Sequence, residues 1–315
     1  MTETSDAVLT TDLDDEIVAL RARSREAALA PLVETTPAQA RERVRAGDRL
    51  CASGPADVET TVVTAEHDGE RVVVRVYEAP DAAVTLVYAH GGGWVTGDLD
   101  YSDELCRFVA AGGVRVVSVE YRLAPEHRFP AAFDDMLAAT RWASATFGRV
   151  AVGGDSAGGN VAAAAAVALL DQPDLPLAFQ VLVYPVLDTD LARGSYVSNA
   201  DAFPIGAADM RWFLDHYVGT GPRDDARVAP LRAPSLAGLP PTHLVAAGHD
   251  PLRDEALAFA ERLTEAGVRV TSRLQPSLCH GFLRFTAASS SARTARDQVV
   301  ERILALAGET SPPTS

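Results

Sequence analysis

Short runs rich in valine and leucine alternate with helix-length segments through most of this chain, and that alternation limits its possible folds more than any other feature. Continuous apolar runs are typical of strands buried on both faces, which occur in parallel sheets covered by helices. The sequence therefore predicts an α/β fold with an eight-stranded, mostly parallel sheet covered by helices on both faces. The predicted strands are 61–64, 71–77, 84–88, 114–120, 150–153, 179–184, 243–247 and 268–274, and the helices between the later strands include 131–147, 158–170 and 254–266.

Two parts of the chain do not follow this alternation. The first fifty residues favour helices. More than fifty residues lie between the sixth and seventh predicted strands, which is too many for an ordinary crossover connection. We expect one domain over residues 1–315, in which the segments of about 1–50 and about 186–225 form a helical cap over one end of the sheet. A surface excursion without a functional role is the alternative. Residues 308–315 are expected to be a disordered tail.

The segment RVAVGGDSAGGN, at 149–160, places a serine on the turn between a predicted strand and a predicted helix. Residues 154–158 follow the pattern G-x-S-x-G of a nucleophile elbow, in which glycines relieve the clashes of a strained turn. A dinucleotide-binding loop is the rival interpretation, but the spacing G-x-G-x-x-G does not fit these glycines. The pattern therefore predicts that Ser156 is a nucleophile.

A second glycine-rich segment, HGGG at 90–93, directly follows the third predicted strand. Consecutive glycines cost backbone entropy, which indicates that the backbone here approaches another group closely. Their N–H groups are candidates to stabilise a developing oxyanion, together with the N–H of Ala157, the residue after the serine. Phosphate binding is the competing use of such a loop, but no strong cationic neighbour accompanies it.

The composition restricts the base that could activate Ser156. The chain contains no lysine, and all 28 of its basic residues other than histidine are arginines. P-loop, Schiff-base and Ser-Lys chemistries all require a lysine, so a histidine or a carboxylate must act as the base. Among the seven histidines, His249 and His280 follow late strands, and His280 has Gly281 beside it to let the loop bend. We predict that His280 is the base.

A histidine base needs a carboxylate to fix its tautomer and to stabilise the imidazolium. Asp250 directly follows the seventh predicted strand, whereas Asp254 and Glu255 lie on the helix after it. Active sites of open α/β sheets form at the carboxyl ends of the strands, which favours Asp250. The chain order is then Ser156, Asp250, His280.

Several motifs together resemble those of the hormone-sensitive lipase family of α/β-hydrolase esterases, over about 84–280. They are HGGGW (90–94), YRLAPE (121–126), GDSAGGN (154–160), DPLRDE (250–255) and HGF (280–282). The resemblance implies an α/β-hydrolase fold and the same three catalytic residues. It also implies an oxyanion hole formed by Gly91, Gly92 and Ala157, and a cap that forms the acyl pocket. The chain departs from the family at 248–249, where an acidic or aromatic pair is common.

The expected reaction is hydrolysis of short- to medium-chain uncharged carboxylic esters through an acyl-enzyme intermediate. Trp94, Phe203, Trp212 and Phe213 are candidates to line the substrate pocket, with ordinary packing in the cap as the alternative. An amidase or peptidase could use the same triad. A non-catalytic binding protein is a further alternative, because plant gibberellin receptors resemble this family, but they replace the catalytic histidine.

The net charge of −15 argues against a nucleic-acid partner and against a basic membrane-binding surface, and it would repel anionic substrates. The longest apolar run, about 161–170, is too short to cross a bilayer, and the polar N-terminus is not typical of a signal peptide. Three distant cysteines favour a cytoplasmic location. No ligand spacing predicts a metal, and no cofactor is expected. The resemblance suggests a homodimer through the last strand and helix.

Overall fold

The computed structural model describes residues 11–27 and 30–309. Its strands are β1 (Thr60–His67), β2 (Glu70–Tyr77), β3 (Thr85–Ala89), β4 (Arg115–Glu120), β5 (Val150–Asp155), β6 (Gln180–Val183), β7 (Thr242–His249) and β8 (Val270–Cys279). Its α-helices are α1 (Asp15–Glu26), α2 (Pro37–Ala46), α3 (Asp103–Ala111), α4 (Ala131–Phe147), α5 (Ala157–Leu169), α6 (Gly194–Ser198), α7 (Ala207–Tyr217), α8 (Arg253–Glu265) and α9 (Ser290–Glu309). Short 3-10 helices lie at Leu32–Glu34, Asp48–Leu50, Pro230–Arg232 and Phe282–Arg284.

All eight strands form one sheet, in the order β1-β2-β4-β3-β5-β6-β7-β8. β1 and β2 form an antiparallel hairpin, whose turn at Asp68 and Gly69 has positive φ at both residues. β2 also runs antiparallel to β4, and every later pairing is parallel. The predicted eight-stranded, mostly parallel α/β fold is therefore confirmed.

Helices cover both faces of the sheet, because the central strands are apolar on both sides. In β4, for example, Val117 and Val119 belong to one hydrophobic core and Val116 to the other. The first core lies under α4, α5 and α8, and the second under α3, α9 and the buried side of α1. The carboxyl ends of β3, β5, β7 and β8 consequently meet at one edge of a rigid double-sided core.

The segments expected to form a cap contact one another and the loops at that edge. Arg21 of α1 donates to the Asp201 carbonyl at 3.0 Å, and α7 packs against the 3-10 turn at Leu32–Glu34. Arg41 of α2 donates to the carbonyls of Val95 and Ala124, at 2.8 and 2.9 Å. These contacts support the proposal that parts of 15–50 and 186–225 act as one cap.

The ends of the chain need one correction. The tail expected from residue 308 is helical at its first two positions, since Gly308 and Glu309 are the last residues of α9. Residues 310–315 of that tail and residues 1–10 of the expected cap lie outside the described residues. Among the described helices, none is long and apolar enough to cross a membrane.

Candidate active site

Ser156 occupies a strained turn between β5 and α5. Its φ of 56° and ψ of −119° lie in a region that side-chain-bearing residues rarely adopt. The Ser156 N–H donates to the Val183 carbonyl at 2.9 Å, and its own carbonyl accepts from the N–H groups of Asn160 and Val186, at 3.0 and 3.2 Å. Strand β6 and helix α5 thus hold the serine backbone from both sides at the end of a central strand.

The glycines around Ser156 allow the elbow to form. A Cβ atom on Gly158 would overlap the carbonyl oxygen of Ala89, and one on Gly154 would overlap the carbonyl group of Gly158. Helix α5 therefore begins directly against the backbone of β3. Any side chain at these positions would push the helix away and displace the serine.

The structure brings Ser156, His280 and Asp250 together in one hydrogen-bonded chain. His280 Nε2 lies 2.9 Å from Ser156 Oγ, and His280 Nδ1 lies 2.8 Å from Asp250 Oδ2. An ionised carboxylate only accepts hydrogen bonds, so the imidazole donates from Nδ1 and its Nε2 is free to accept from the serine hydroxyl. All three side chains are buried, and Leu252 N–H fixes the other Asp250 oxygen at 2.8 Å. This is the geometry of a nucleophile, a base and its orienting carboxylate.

The two other carboxylates of the DPLRDE motif bind different partners. Asp254 Oδ2 accepts from the Ser195 N–H at 2.7 Å, and Glu255 Oε1 accepts from the Leu187 N–H at 2.7 Å. Both therefore anchor the segment that follows β6. Asp250, the carboxylate chosen from its position after β7, is the one that reaches His280.

The glycine loop requires a correction at Gly91. Its N–H donates to Asp155 Oδ1 at 3.2 Å, so it is not available to an oxyanion, contrary to the expectation from sequence. Within the described residues, the N–H groups of Gly92, Gly93 and Ala157 donate to no acceptor. The Gly92 carbonyl accepts from the N–H of Thr96 at 2.9 Å, as in the first turn of a helix, which leaves the N–H groups at its start unpaired. The free donors thus include Gly93, which is not in the oxyanion hole implied by the family resemblance.

The carbonyl side of Gly91 is fixed as firmly as its N–H. His90 Nδ1 lies 2.7 Å from the Gly91 oxygen, and the Tyr121 hydroxyl donates to the His90 oxygen at 2.9 Å and to the Gly91 oxygen at 3.3 Å. The His90 and Tyr121 rings stack with centroids 4.3 Å apart. Burial lowers the pKa of His90 to about 4, so the ring is neutral near pH 7 and donates from Nδ1. Tyr121, from the YRLAPE motif, is a second residue whose role sequence reasoning missed.

The four aromatic candidates for the substrate pocket have different surroundings. Phe213 of α7 lies directly over the loop, because a Cβ atom on Gly93 would overlap its ring. Trp212 packs edge-on against Phe213, with centroids 5.2 Å apart. Trp94 is buried and stacks on Tyr217, and Phe203 is half-buried and stacks on Phe285 of the core. Phe213 is therefore the candidate that the structure places next to the glycine loop.

Acidic side chains in the insertion serve as ion-pair partners. Asp188 binds the guanidinium groups of Arg193 and Arg232, both at 2.6 Å. Across residues 11–27 and 30–309, no group of three or more His, Cys, Asp or Glu side chains is arranged to hold a metal ion.

Known proteins share this fold and sequence pattern. A family described as having the alpha/beta hydrolase fold matches residues 86–284. The esterase LipI of Mycobacterium tuberculosis is 40% identical over 276 residues, which cover 82% of this chain and 86% of that protein. An ethyl acetate hydrolase of Pseudomonas putida is 37% identical over 252 residues, covering 75% and 79% of the two chains. A solved structure, that of the ester hydrolase EH1AB1 from the metagenome of Lake Arreo, is 35% identical, with a TM-score of 0.88 over 94% of this chain and 99% of that one.

Proposed function

Because the chain belongs to the hormone-sensitive-lipase-like esterases of the α/β-hydrolase fold, and is a carboxylic ester hydrolase, we propose that it acts through a serine triad. Ser156 is the nucleophile, His280 the general base and Asp250 the carboxylate that orients the histidine. The observation that carries this proposal is the hydrogen-bonded chain from Ser156 Oγ through His280 to Asp250, with distances of 2.9 and 2.8 Å.

The reaction proceeds in two halves. Ser156 Oγ attacks the ester carbonyl carbon while His280 Nε2 takes the hydroxyl proton, and Asp250 stabilises the imidazolium. The tetrahedral oxyanion accepts hydrogen bonds from the free N–H groups of Gly92, Gly93 and Ala157. His280 then gives its proton to the departing alcohol, and the acyl group stays bound to Ser156 Oγ. In the second half, His280 takes a proton from water as the water oxygen attacks the acyl carbon. The ester bond to Ser156 then breaks, His280 returns the proton to Ser156 Oγ, and the acyl group leaves as a carboxylic acid.

We further propose that the preferred substrates are short- to medium-chain uncharged esters. The ring of Phe213 covers the third glycine of the loop and restricts the space beside the oxyanion. The net charge of −15 disfavours the approach of anionic esters. The relative from Pseudomonas putida, whose name gives ethyl acetate as its substrate, supports the same size range.

A panel of nitrophenyl esters with acetyl, butyryl, octanoyl and palmitoyl groups tests the substrate proposal. We expect kcat/KM to be highest among the shorter chains and to fall sharply at palmitoyl, because the long chain has to displace the cap. A preference for emulsified long-chain triglycerides would contradict the proposal. Nitroanilides with the same acyl groups separate an esterase from an amidase, since only the leaving group differs.

The nucleophile is tested with Ser156→Ala. This variant should keep its fold, as measured by circular dichroism, and lose on the order of 10⁶-fold in kcat, the scale of nucleophile knock-outs in other serine hydrolases. A fluorophosphonate should label the wild-type protein once, on the peptide containing Ser156, and should not label the variant. Near-native turnover by Ser156→Ala would exclude Ser156 as the nucleophile.

A further inference from the structure

Asp155, the residue before the nucleophile, takes no part in the reaction steps above, yet its buried carboxylate touches the glycine loop. We propose that Asp155 is a positioning residue, whose carboxylate holds Gly91 so that the following N–H groups of the loop face the oxyanion. This inference rests on the proposed serine mechanism and assigns a role within that site.

Three donors converge on one oxygen of Asp155. The hydroxyls of Tyr88 and Ser102 donate to Oδ1, at 3.1 and 3.3 Å, and the Gly91 N–H donates to the same atom at 3.2 Å. Tyr88 lies on β3 and Ser102 immediately precedes α3, so two rigid elements fix the carboxylate before it meets the loop. The Gly91 backbone rests against the other oxygen, because a Cβ atom there would lie 2.5 Å from Asp155 Oδ2.

The geometry of the peptide bond links this contact to the oxyanion donors. The N–H of Gly91 belongs to the peptide before that residue, and the carbonyl of Gly91 shares a planar trans peptide with the N–H of Gly92. His90 and Tyr121 hold the Gly91 carbonyl, so the Gly92 N–H must point the opposite way. Asp155 fixes the first peptide and the two aromatic side chains fix the second. Without Asp155, only one side of Gly91 would be held, and a glycine rotates at little steric cost.

Asp155 also lines a cavity beside these hydrogen bonds. No partner for Oδ2 lies among the described residues. The cavity has a volume of about 670 Å³, is partly open, and is lined by Asp155, Tyr101, Cys51 and Arg284, among others. A small molecule therefore has a route to the space that a shortened side chain at position 155 would vacate.

The proposal predicts different effects on kcat for an asparagine and for an alanine at position 155. Asp155→Asn keeps an acceptor oxygen for the Gly91 N–H, and we expect its kcat to stay within about 5-fold of wild type. Asp155→Ala removes the acceptor, and we expect kcat to fall by about 10- to 100-fold with KM changed less than about 3-fold, since the lost contact acts on the transition state. Should Asp155→Ala fail to fold, Asp155→Ser replaces it, because a serine hydroxyl is too short to reach the loop.

Formate provides the decisive measurement, because it can enter the cavity and supply the missing carboxylate. It should raise the kcat of Asp155→Ala several-fold and leave the wild type unchanged. Asp135→Ala is the matched control, since Asp135 is also a buried carboxylate but binds Arg122 and not the loop. Formate should not increase the activity of Asp135→Ala, even if the melting temperature of this variant falls by as much as that of Asp155→Ala.

Three results would overturn the positioning role. They are a wild-type kcat in Asp155→Ala, equal losses in the Ala and Asn variants, or no response of the Ala variant to formate. Fluorophosphonate labelling of Ser156 in the same variants keeps this test separate from the proposed mechanism. If Ser156 is still labelled while the formate test fails, the positioning role is wrong and the serine mechanism stands.

Discussion

Ionised Asp155 should weaken the folded protein at neutral pH, and Asp155→Asn should remove that cost. Burial raises the pKa of Asp155 to about 6 from an ordinary value of 3.8, because the loss of water outweighs the attraction of Arg284, and no hydrogen-bond donor among the described residues reaches Oδ2. Tyr88 and Ser102 donate to the other oxygen and oppose the increase only in part. A tenfold change in proton affinity equals about 1.4 kcal/mol, so the ionised group costs the fold about 3 kcal/mol.

The sign of the pH dependence follows from linkage. The folded protein binds this proton more tightly than the unfolded chain, so the contribution of Asp155 is fully favourable below about pH 4 and is lost as the pH rises through about 6. An asparagine does not titrate. Relative to wild type, the free energy of unfolding of Asp155→Asn should therefore increase by about 2 kcal/mol between about pH 4.5 and about pH 7.5.

Urea unfolding of both proteins across this pH range measures the difference directly. Asp188→Asn is a control with the opposite sign. Burial alone would raise the pKa of Asp188, but hydrogen bonds from Arg193 and Arg232 outweigh it and lower the pKa. The ionised Asp188 carboxylate stabilises the fold at neutral pH. The free energy of unfolding of Asp188→Asn should therefore fall further below that of the wild type as the pH rises. A pH-independent difference between Asp155→Asn and wild type, or one that falls as the pH rises, would refute the reasoning.

Two further substitutions probe the elbow and the pocket. Gly158→Ala should lower the melting temperature sharply and abolish ester hydrolysis, because the new methyl group would overlap the Ala89 carbonyl. Gly308→Ala, at a position with open space, should change neither. Phe213→Ala removes the ring over Gly93 and should raise kcat/KM for octanoyl relative to acetyl nitrophenyl esters by about 10-fold, the value of one or two methylenes in an apolar pocket. An unchanged ratio would place the acyl group elsewhere.

The architecture could be predicted because each strand carries its own local signal. The central strands are continuous apolar runs because they are buried on both faces, and the more exposed β1 and β2 still contain valine-rich runs. All eight strands therefore appear in the sequence, and the helix predicted at 131–147 has the bounds of α4. The positions of Asp250 and His280 followed from the same information. Carboxyl ends of parallel strands share one edge, so residues immediately after β7 and β8 must lie near the serine after β5.

Roles that depend on contacts between distant segments could not be predicted in this way. Phe213 reaches Gly93 only because α7 folds back over the sheet, and nothing in the local pattern of α7 distinguishes it from Trp212. The ion pairs of Asp188 are a similar case, because its partners Arg193 and Arg232 lie on either side of α7 in sequence. Composition and periodicity predict which helix or strand a residue belongs to, whereas its contact partners depend on tertiary packing.

The error at Gly91 has a specific physical source. Three identical glycines give no indication of which N–H groups face a substrate, because that depends on the residue at which the extended chain ends and the turn begins. In this protein the turn begins at Gly92, whose carbonyl accepts from the N–H of Thr96, so the N–H of Gly91 still points as it would in an extension of β3. That direction leads to Asp155 on the neighbouring strand β5. The aspartate of the GDSAG segment thus has a partner in the HGGG segment, so the two glycine-rich motifs form a single structural unit.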